Sequence, residues 1–322
     1  MDFNVSVSAF ATGHRAIPLD RDRVYDVIIL GGGPAAMTAA VYCMRKGVST
    51  ALVARQLGGQ VGETSGIENY LGYNYIGGME LVQKFSDHVR QFDIAIGEQE
   101  IVERVDNGTL KEIHLSDGTV CRAKAIIIAT GTRWRKLNVP GEDRLLGRGV
   151  AYCAICDAPL FAGKEVAVVG GGNSGVEAAI DLARIAKRVT VVQNLDRLTA
   201  DGVLVSALSG FGNVEALYGH AVEEIKGGNS VESVVVKSLE GERRVEIPVS
   251  GIFIEIGLMP NADMVKGAVE LNRAGEIVVD CACRTGAPGI FAAGDVTSVP
   301  YKQIIIAAGE GAKAALSACE YV

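Results

Sequence analysis

The sequence predicts an α/β protein made of two Rossmann-like dinucleotide-binding domains, the second inserted into the first. Three observations carry that prediction. An apolar run, a glycine turn, an Ala-rich stretch and a second apolar run follow one another at residues 24–54, and the same order returns at 165–193. The two copies share one dimension, since 21 residues separate Gly33 from Ala54 and 21 separate Gly172 from Gln193. Late in the chain a short apolar run, GIFAAGD at 289–295, stops at an acid and reads as a return to the first domain.

The run VYDVIIL (24–30) is apolar and β-branched without alternation, as a central parallel strand covered on both faces requires. GGGPAAMTAAVYCMRKG then supplies a turn and a helix, with Gly47 placed to end it, and VSTALVA is the next strand. In the second copy EVAVVG (165–170) is the strand, GGNSGVEAAIDLARIAK the turn and helix, and RVTVVQ the following strand. At the first turn Gly31 permits the bend, Gly33 lets backbone approach a pyrophosphate, and Ala36 lets the helix lie close to its strand. Gly170, Gly172 and Gly175 repeat these positions, with Asn173 and Ser174 as added donors. A helix N-terminus behind each turn offers N–H groups and partial positive charge to phosphates. One such turn is weak evidence; two, each between strand and helix, are strong.

Between the copies AKAIIIATG is a strand ending at Ala129, Thr130 and Gly131, and a polar stretch follows. Linkers are expected near 131–141 and 257–263. The resulting plan is an N-terminal arm over 1–23, a split domain over 24–135 and 262–322, and an inserted domain over 136–261. Residues 220–256 alternate weakly between turn signals and read as a small antiparallel layer.

Composition narrows the function. With 31 Lys plus Arg against 38 Asp plus Glu, the net charge of −7 gives no basic footprint for nucleic acid. No apolar run approaches the ~18 residues of a membrane span, and no secretory signal opens the chain. Forty glycines in 322 residues exceed the usual ~7% and call for many tight turns. Seven scattered cysteines do not resemble a secreted disulfide framework, so a cytoplasmic protein with mostly reduced thiols is expected.

Cys153 and Cys156, in AYCAICDAPLF, are the exception. Two thiols spaced by two residues at a helix start can close a small disulfide, with one thiol acidified by the helix end. Two buried cysteines, or half of a zinc site, are the alternatives; zinc would need two more ligands, and four His with no second CxxC supply them poorly, so no metal is expected. Asp157 could exchange protons with the thiols or cap a helix. Cys281 and Cys283 read as structural, and Cys43, Cys121 and Cys319 as small apolar fillers.

From about residue 24 onward the motifs GGGPAA, GGQ, IENY, ATG, CAICD, GGGNSGVEAAIDLA, IGLMPN and FAAGDVTSVPYKQIIIAAGEGAKAALSA resemble low-molecular-weight thioredoxin reductases and the related flavoprotein subunit of alkyl hydroperoxide reductase. The tail and the second glycine turn are closer to the latter, which carries an additional N-terminal thioredoxin-like domain not seen in this sequence. The resemblance implies the pyridine nucleotide-disulfide oxidoreductase class II fold. It implies FAD in the split domain, held by Gly31, Gly33, Pro34, Ala35, Gly59, Gln60, Asn69, Ala129, Thr130, Gly131, Gly294, Asp295 and the Lys302, Gln303, Ile304 segment. It implies a nicotinamide cofactor on Gly170, Gly172, Asn173, Ser174, Glu177 and Gln193. By position Cys156 would face the flavin, Cys153 would attack a disulfide on a thioredoxin-like or peroxiredoxin-partner protein, and Asp157 would serve as acid and base. The inserted domain would rotate about its linkers, and the protein would be a homodimer.

One departure matters. Thioredoxin reductases place a His-Arg-Arg cluster after the strand of the second fold to hold the 2′-phosphate of NADPH. Here Gln193, Asn194 and Leu195 stand in that stretch, with only Arg197 near. A phosphate dianion without cationic partners binds poorly, so NADH is expected over NADPH, with Asp196 a possible partner for the ribose. Arg55 ends the second strand of the first fold and is expected near the adenosine of FAD, or in solvent. Rival readings are a disulfide reductase fed by ferredoxin or another non-nucleotide carrier, an NADH oxidase or peroxidase, and a non-catalytic flavin-binding regulator.

Overall fold

The structure is a computed structural model that describes residues 17–64 and 66–322; most of the expected N-terminal arm, residues 1–16, lies outside the described residues. Six α-helices occur among them: α1 (Pro34–Lys46), α2 (Gly78–Val89), α3 (Ala154–Asp157), α4 (Asn173–Ala183), α5 (Gly202–Ser209) and α6 (Ile304–Tyr321). The described residues divide into two compact units, one over 17–63, 77–132 and 260–322 and the other over 64–76 and 133–259. The sequence pattern keeps 64–76 with the first domain; here this segment, closed by the Ile67–Ile76 bridge, groups with the second.

In the first unit the strands run Ile17–Pro18, Ala95–Glu98, Thr50–Ala54, Val24–Leu30, Val120–Ile128, Lys111–Leu115, Val102–Asn107, and Ile290–Ala292 also pairs with Val120–Ile128. The central pairs are parallel, and the Lys111–Leu115 and Val102–Asn107 excursion is antiparallel. Residues 17 and 18 therefore extend the sheet edge against Ala95 and Ile96. Val27 and Ile29 belong to the core cluster under α1 and α6, while Ile28 and Leu30 belong to the cluster on the opposite face. Burial on both faces is why this strand shows no alternation. The first turn meets α1 with Pro34 at its start, where the missing N–H costs nothing, and α1 ends on left-handed Gly47.

The second unit holds a parallel sheet in the order Val214–Leu217, Arg188–Val192, Glu165–Val169, Gly251–Ile254, Val150–Ala151. Helices α4 and α5 cover one face, and the antiparallel layer His220–Lys226, Ser233–Ser238, Arg244–Pro248 supplies Val222, Ile225, Val234 and Val236 to the other. The antiparallel layer stops at Pro248. Residues 251–254, read from sequence as part of that layer, join the parallel sheet, because GIFI is wholly buried and fits only a covered strand. The stretches Thr132–Trp134 and Leu258–Pro260, where the chain leaves and re-enters the first unit, pair as a two-stranded ribbon.

Candidate active site

Cys153 and Cys156 are joined in a disulfide, with Cα atoms 5.3 Å apart. The geometry follows from one turn of helix. Cys153 is the extended residue that caps α3, its Sγ accepts the Cys156 N–H at 3.3 Å, and its carbonyl accepts the Asp157 N–H at 3.1 Å. Both sulfurs belong to residues of intermediate burial, so the bond is shielded yet reachable. Asp157 ends the same turn without any side-chain capping bond to the following turn, and burial pushes its carboxyl up to about 6. A carboxyl raised by burial on the same helical turn as the two sulfurs can carry a proton at working pH.

Glu255 is a site residue that sequence reasoning does not single out. It follows the buried strand Gly251–Ile254, and its Oε1 accepts the Ala154 N–H at 3.3 Å at the start of the disulfide turn. Its carbonyl accepts the Ser174 hydroxyl at 3.4 Å and presses on Gly170. One residue thus touches both the disulfide turn and the second glycine turn. Burial, with Glu177's charge adding and the Ala154 N–H opposing, raises its carboxyl to about 7. The available signal is a lone acid inside the apolar run GIFIEIG.

The second glycine turn takes the expected form. Gly170 has φ +119°, where a Cβ would collide with the Glu255 carbonyl, and Gly172 is an extended helix cap with open space where its side chain would be, apart from Thr199 Oγ1 at 3.9 Å. Open space over a helix N-terminus suits a phosphate. Asn173 exchanges two hydrogen bonds with Asp201, at 3.0 and 2.8 Å. Glu177 is exposed on α4, one turn on. Gln193 is buried at 5% exposure, and its amide donates to the Arg197 carbonyl at 3.1 Å while packing on Gly171. Arg197 itself is exposed and paired with Asp196 at 3.5 Å.

In the first unit Gly31 (φ +122°) packs against Ala129 and Thr130, Gly59 approaches Gly33, and Gly294 lies beside Ala35. Gly33 has nothing within 4 Å of its Cβ position. Gln60 donates to the Thr132 carbonyl at 3.1 Å, and Thr130 donates to the Asn261 carbonyl at 2.6 Å while Asn261 N–H donates to Gly131. The structure thus gathers most of the residues expected for FAD. Asp295 is raised to about 6 by burial, with Lys302 opposing. The Lys302 ammonium turns to the Thr297 and Val299 carbonyls and to Glu276 at 3.0 Å, so it braces the turn before α6, whose cap is Gln303 and first residue Ile304. Arg55 is exposed, and Asn69 is exposed in the segment that groups with the second unit. Two buried polar atoms among the described residues have no partner, Thr132 Oγ1 and Glu310 Oε1. Glu310 Oε2 accepts the Gly294 N–H at 2.7 Å. The open space over Gly33 at the N-terminus of α1 fits the pyrophosphate of a bound flavin nucleotide. Glu310 is a second residue that sequence reasoning passes over, although a single acid in AAGEGAKAALSA marks it.

Two glycine-turn βαβ units and a CxxC disulfide ahead of the second define a dinucleotide-dependent disulfide oxidoreductase fold. The chain belongs to the pyridine nucleotide-disulphide oxidoreductase family, whose model matches residues 25–311. It is 46% identical over 97% of its length to a subunit of the alkyl hydroperoxide reductase of Pseudomonas putida, covering 61% of that protein. It is 45% identical over 92% of its length to a protein named NADH dehydrogenase from Ferdinandcohnia aciditolerans, covering 57% of it. The chain therefore spans about three fifths of the length of these curated relatives. The crystal structure of thioredoxin reductase from Streptococcus pyogenes superimposes with a TM-score of 0.87 at 38% identity, over 92% of this chain and 98% of that one. No helix among the described residues is long and apolar enough to cross a membrane.

Proposed function

We propose that this protein is a flavin-dependent disulfide oxidoreductase that passes electrons from NADH, through FAD and the Cys153–Cys156 disulfide, to a disulfide on a thioredoxin-like or peroxiredoxin-partner protein. The observation that carries the reading is the disulfide itself, closed across α3 within the unit that also holds the second glycine turn. Bound FAD would accept a hydride from the nicotinamide and return an electron pair to the disulfide.

The chain's own residues do the rest. Gly31, Gly33, Pro34 and Ala35 would present the start of α1 to the FAD pyrophosphate, and Gly59, Gln60, Ala129–Gly131, Gly294 and Asp295, some of which pack on that turn, would complete its site. Gly170, Gly172 and α4 do the same for the nicotinamide nucleotide. On reduction Cys156 would be the sulfur facing the flavin and Cys153 would carry the outgoing thiolate, which attacks the partner's disulfide; Cys156 then resolves the mixed disulfide. Asp157 takes the proton when a thiolate is needed and returns it when the thiol leaves. The Thr132–Trp134 and Leu258–Pro260 crossings would serve as the hinge for the rotation that lets the sulfurs serve flavin and partner in succession. A homodimer in the cytoplasm is part of the same reading.

The choice of donor falls to the end of the strand Arg188–Val192. Gln193 spends its amide donor on Arg197's backbone, Asn194 and Leu195 are neutral, and Arg197 is held by Asp196. This leaves little cationic charge for a 2′-phosphate, and a relative whose name is NADH dehydrogenase agrees. Anaerobic titration of the flavin-loaded protein with each nucleotide, followed at the flavin absorbance, tests the reading. Rapid bleaching by NADH is expected. Bleaching by NADPH alone overturns the donor, and a polypeptide that takes up no flavin overturns the function. Cys153→Ser should keep NADH-driven bleaching and lose transfer to a protein disulfide.

A further inference from the structure

Helices α1 and α6 lie on the same face of the first unit's sheet and share its core cluster. Toward their C-terminal ends Cys43 of α1 and Cys319 of α6, 276 positions apart, bring their sulfurs to 3.9 Å. Both are free thiols, Cys43 fully buried and Cys319 half-buried. Sequence assigns each the role of a small apolar filler, and each alone would be that. Together, on separate helices and in sulfur contact, they are a dithiol.

We propose that Cys43 and Cys319 form a second redox pair, oxidised by hydrogen peroxide or an organic hydroperoxide to a disulfide that ties α1 to α6. The two thiols are unequal in exposure, Cys319 half-buried and open to a small oxidant and Cys43 fully buried behind it, and this sets the order of events. Cys319 is favoured as thiolate by the neighbouring Cys43 thiol and by the charge of Lys46, against the effect of burial. Cys43 is held as the protonated thiol by Cys319 and by burial. An accessible, thiolate-leaning sulfur beside a buried partner is the arrangement of a peroxide-reactive cysteine with its resolving thiol.

The Cys319 thiolate attacks one peroxide oxygen, the O–O bond breaks, and the other oxygen leaves as water or alcohol after taking a proton. Cys319 is then a sulfenic acid. Cys43 gives up its proton and attacks that sulfur, the S–S bond forms, and the hydroxyl departs as water. Two thiols lose two electrons and two protons, and the peroxide receives both. The bond would fasten the far ends of the two helices whose near ends carry Pro34 and Ile304. The pair is independent of the Cys153–Cys156 disulfide, so it neither needs nor excludes the proposed turnover.

Peptide mapping tests it on the full-length protein as isolated. Trypsin places Cys43 in residues 24–45, Cys319 in 314–322, and Cys153 with Cys156 together in 149–164, so the two disulfides are read separately. After brief peroxide treatment and alkylation of remaining thiols, the 24–45 and 314–322 peptides should appear cross-linked and separate again on reduction with dithiothreitol. Recovery of Cys43 and Cys319 as two alkylated peptides, or of Cys319 as sulfinic acid beside alkylated Cys43, overturns the proposal. In Cys43→Ser, Cys319 should be trapped as a sulfenic-acid adduct by a cyclic-dione reagent. In Cys319→Ser, whose altered side chain is half-exposed and leaves the core intact, Cys43 should stay alkylatable; its equal oxidation there would also overturn the order proposed.

Discussion

The two glycine turns of the molecule are almost the same object. Gly31 and Gly170 have φ of +122° and +119°, and the caps Gly33 and Gly172 have φ, ψ of −80°, −175° and −82°, −175°. What closes over each turn differs. Over the first, the Gly32 carbonyl accepts the Gly58 N–H at 2.7 Å. Over the second, the Gly171 carbonyl accepts the Thr199 and Ala200 N–H groups, Gln193 packs against Gly171, and Asn173 grips Asp201. The common part is backbone geometry that any pyrophosphate demands. The variable part is the loop after the strand, where the rest of the nucleotide is told apart.

The largest break in the comparison is a methyl group at the shared position. In Gly31→Ala a Cβ would meet the Ala129 carbonyl, and in Gly170→Ala the Glu255 carbonyl, at a φ that L-residues avoid. Backbone strain alone costs on the order of 1–3 kcal/mol, and the overlap adds to it. Purified Gly31→Ala should contain little or no flavin by absorbance. Gly170→Ala should keep its flavin but lose NADH-driven bleaching by at least about 100-fold, an effect of about 2.7 kcal/mol by rate arithmetic. Loss of flavin from Gly170→Ala would show that the two turns do not serve separate ligands.

The next effect belongs to the second unit alone, since only it sets buried carboxyls against a disulfide turn. Asp157→Asn should lower protein-disulfide transfer by roughly 100-fold, the usual scale of one general acid–base group, while NADH still bleaches the flavin. Stability should move the other way. Burial raises the folded-state carboxyl to about 6 from its ordinary value of 3.8, so the stability linked to its proton is full below about pH 4 and is lost as pH rises through 6. Above that, Asp157→Asn should be more stable than the native chain by on the order of 2 kcal/mol, read from denaturant midpoints at pH 4 and pH 8. Glu255→Gln should behave alike, with the loss running from its ordinary value of 4.5 up to about 7. A pH-independent difference for both variants would refute burial as the cause.

The same contrast explains what can be read from the sequence. Strands such as VYDVIIL and EVAVVG and the turns after them are local codes, because the apolar run, the positive-φ glycine and the helix N-terminus are all set within about ten residues. Their expected bounds fall within a residue or two of Val24–Leu30 and Glu165–Val169. Glu255 and Glu310 escape sequence reading because their chemistry comes from contact with distant segments, the first 101 positions from Ala154 and the second 16 from Gly294. The Cys43–Cys319 contact spans 276 positions and has no local signature at all. The sequence pattern carries the antiparallel layer too far along because the Ser250-Gly251 turn marks a strand end without telling which sheet the run GIFI joins, and only the buried neighbours of Gly251–Ile254 show which sheet claims that strand.

A change in the loop after Arg188–Val192 should have a more modest consequence. Leu195 is 48% exposed two residues beyond buried Gln193, so a longer cationic side chain there can reach solvent without disturbing the core. Leu195→Arg adds a second guanidinium near Arg197, whose own charge is partly answered by Asp196. A charge-assisted bond to a 2′-phosphate is worth ~1.5–3 kcal/mol. Solvent exposure reduces that, so kcat/KM for NADPH should rise by about tenfold, which corresponds to about 1.4 kcal/mol. The value for NADH, which has no 2′-phosphate, should change by less than about twofold. The gain should shrink as salt rises from low to physiological strength, because the new charge is screened over ~8–10 Å. An equal rise for both nucleotides would mean that the loop after Arg188–Val192 does not face the ribose, and the choice of donor would have to be sought elsewhere in the second unit.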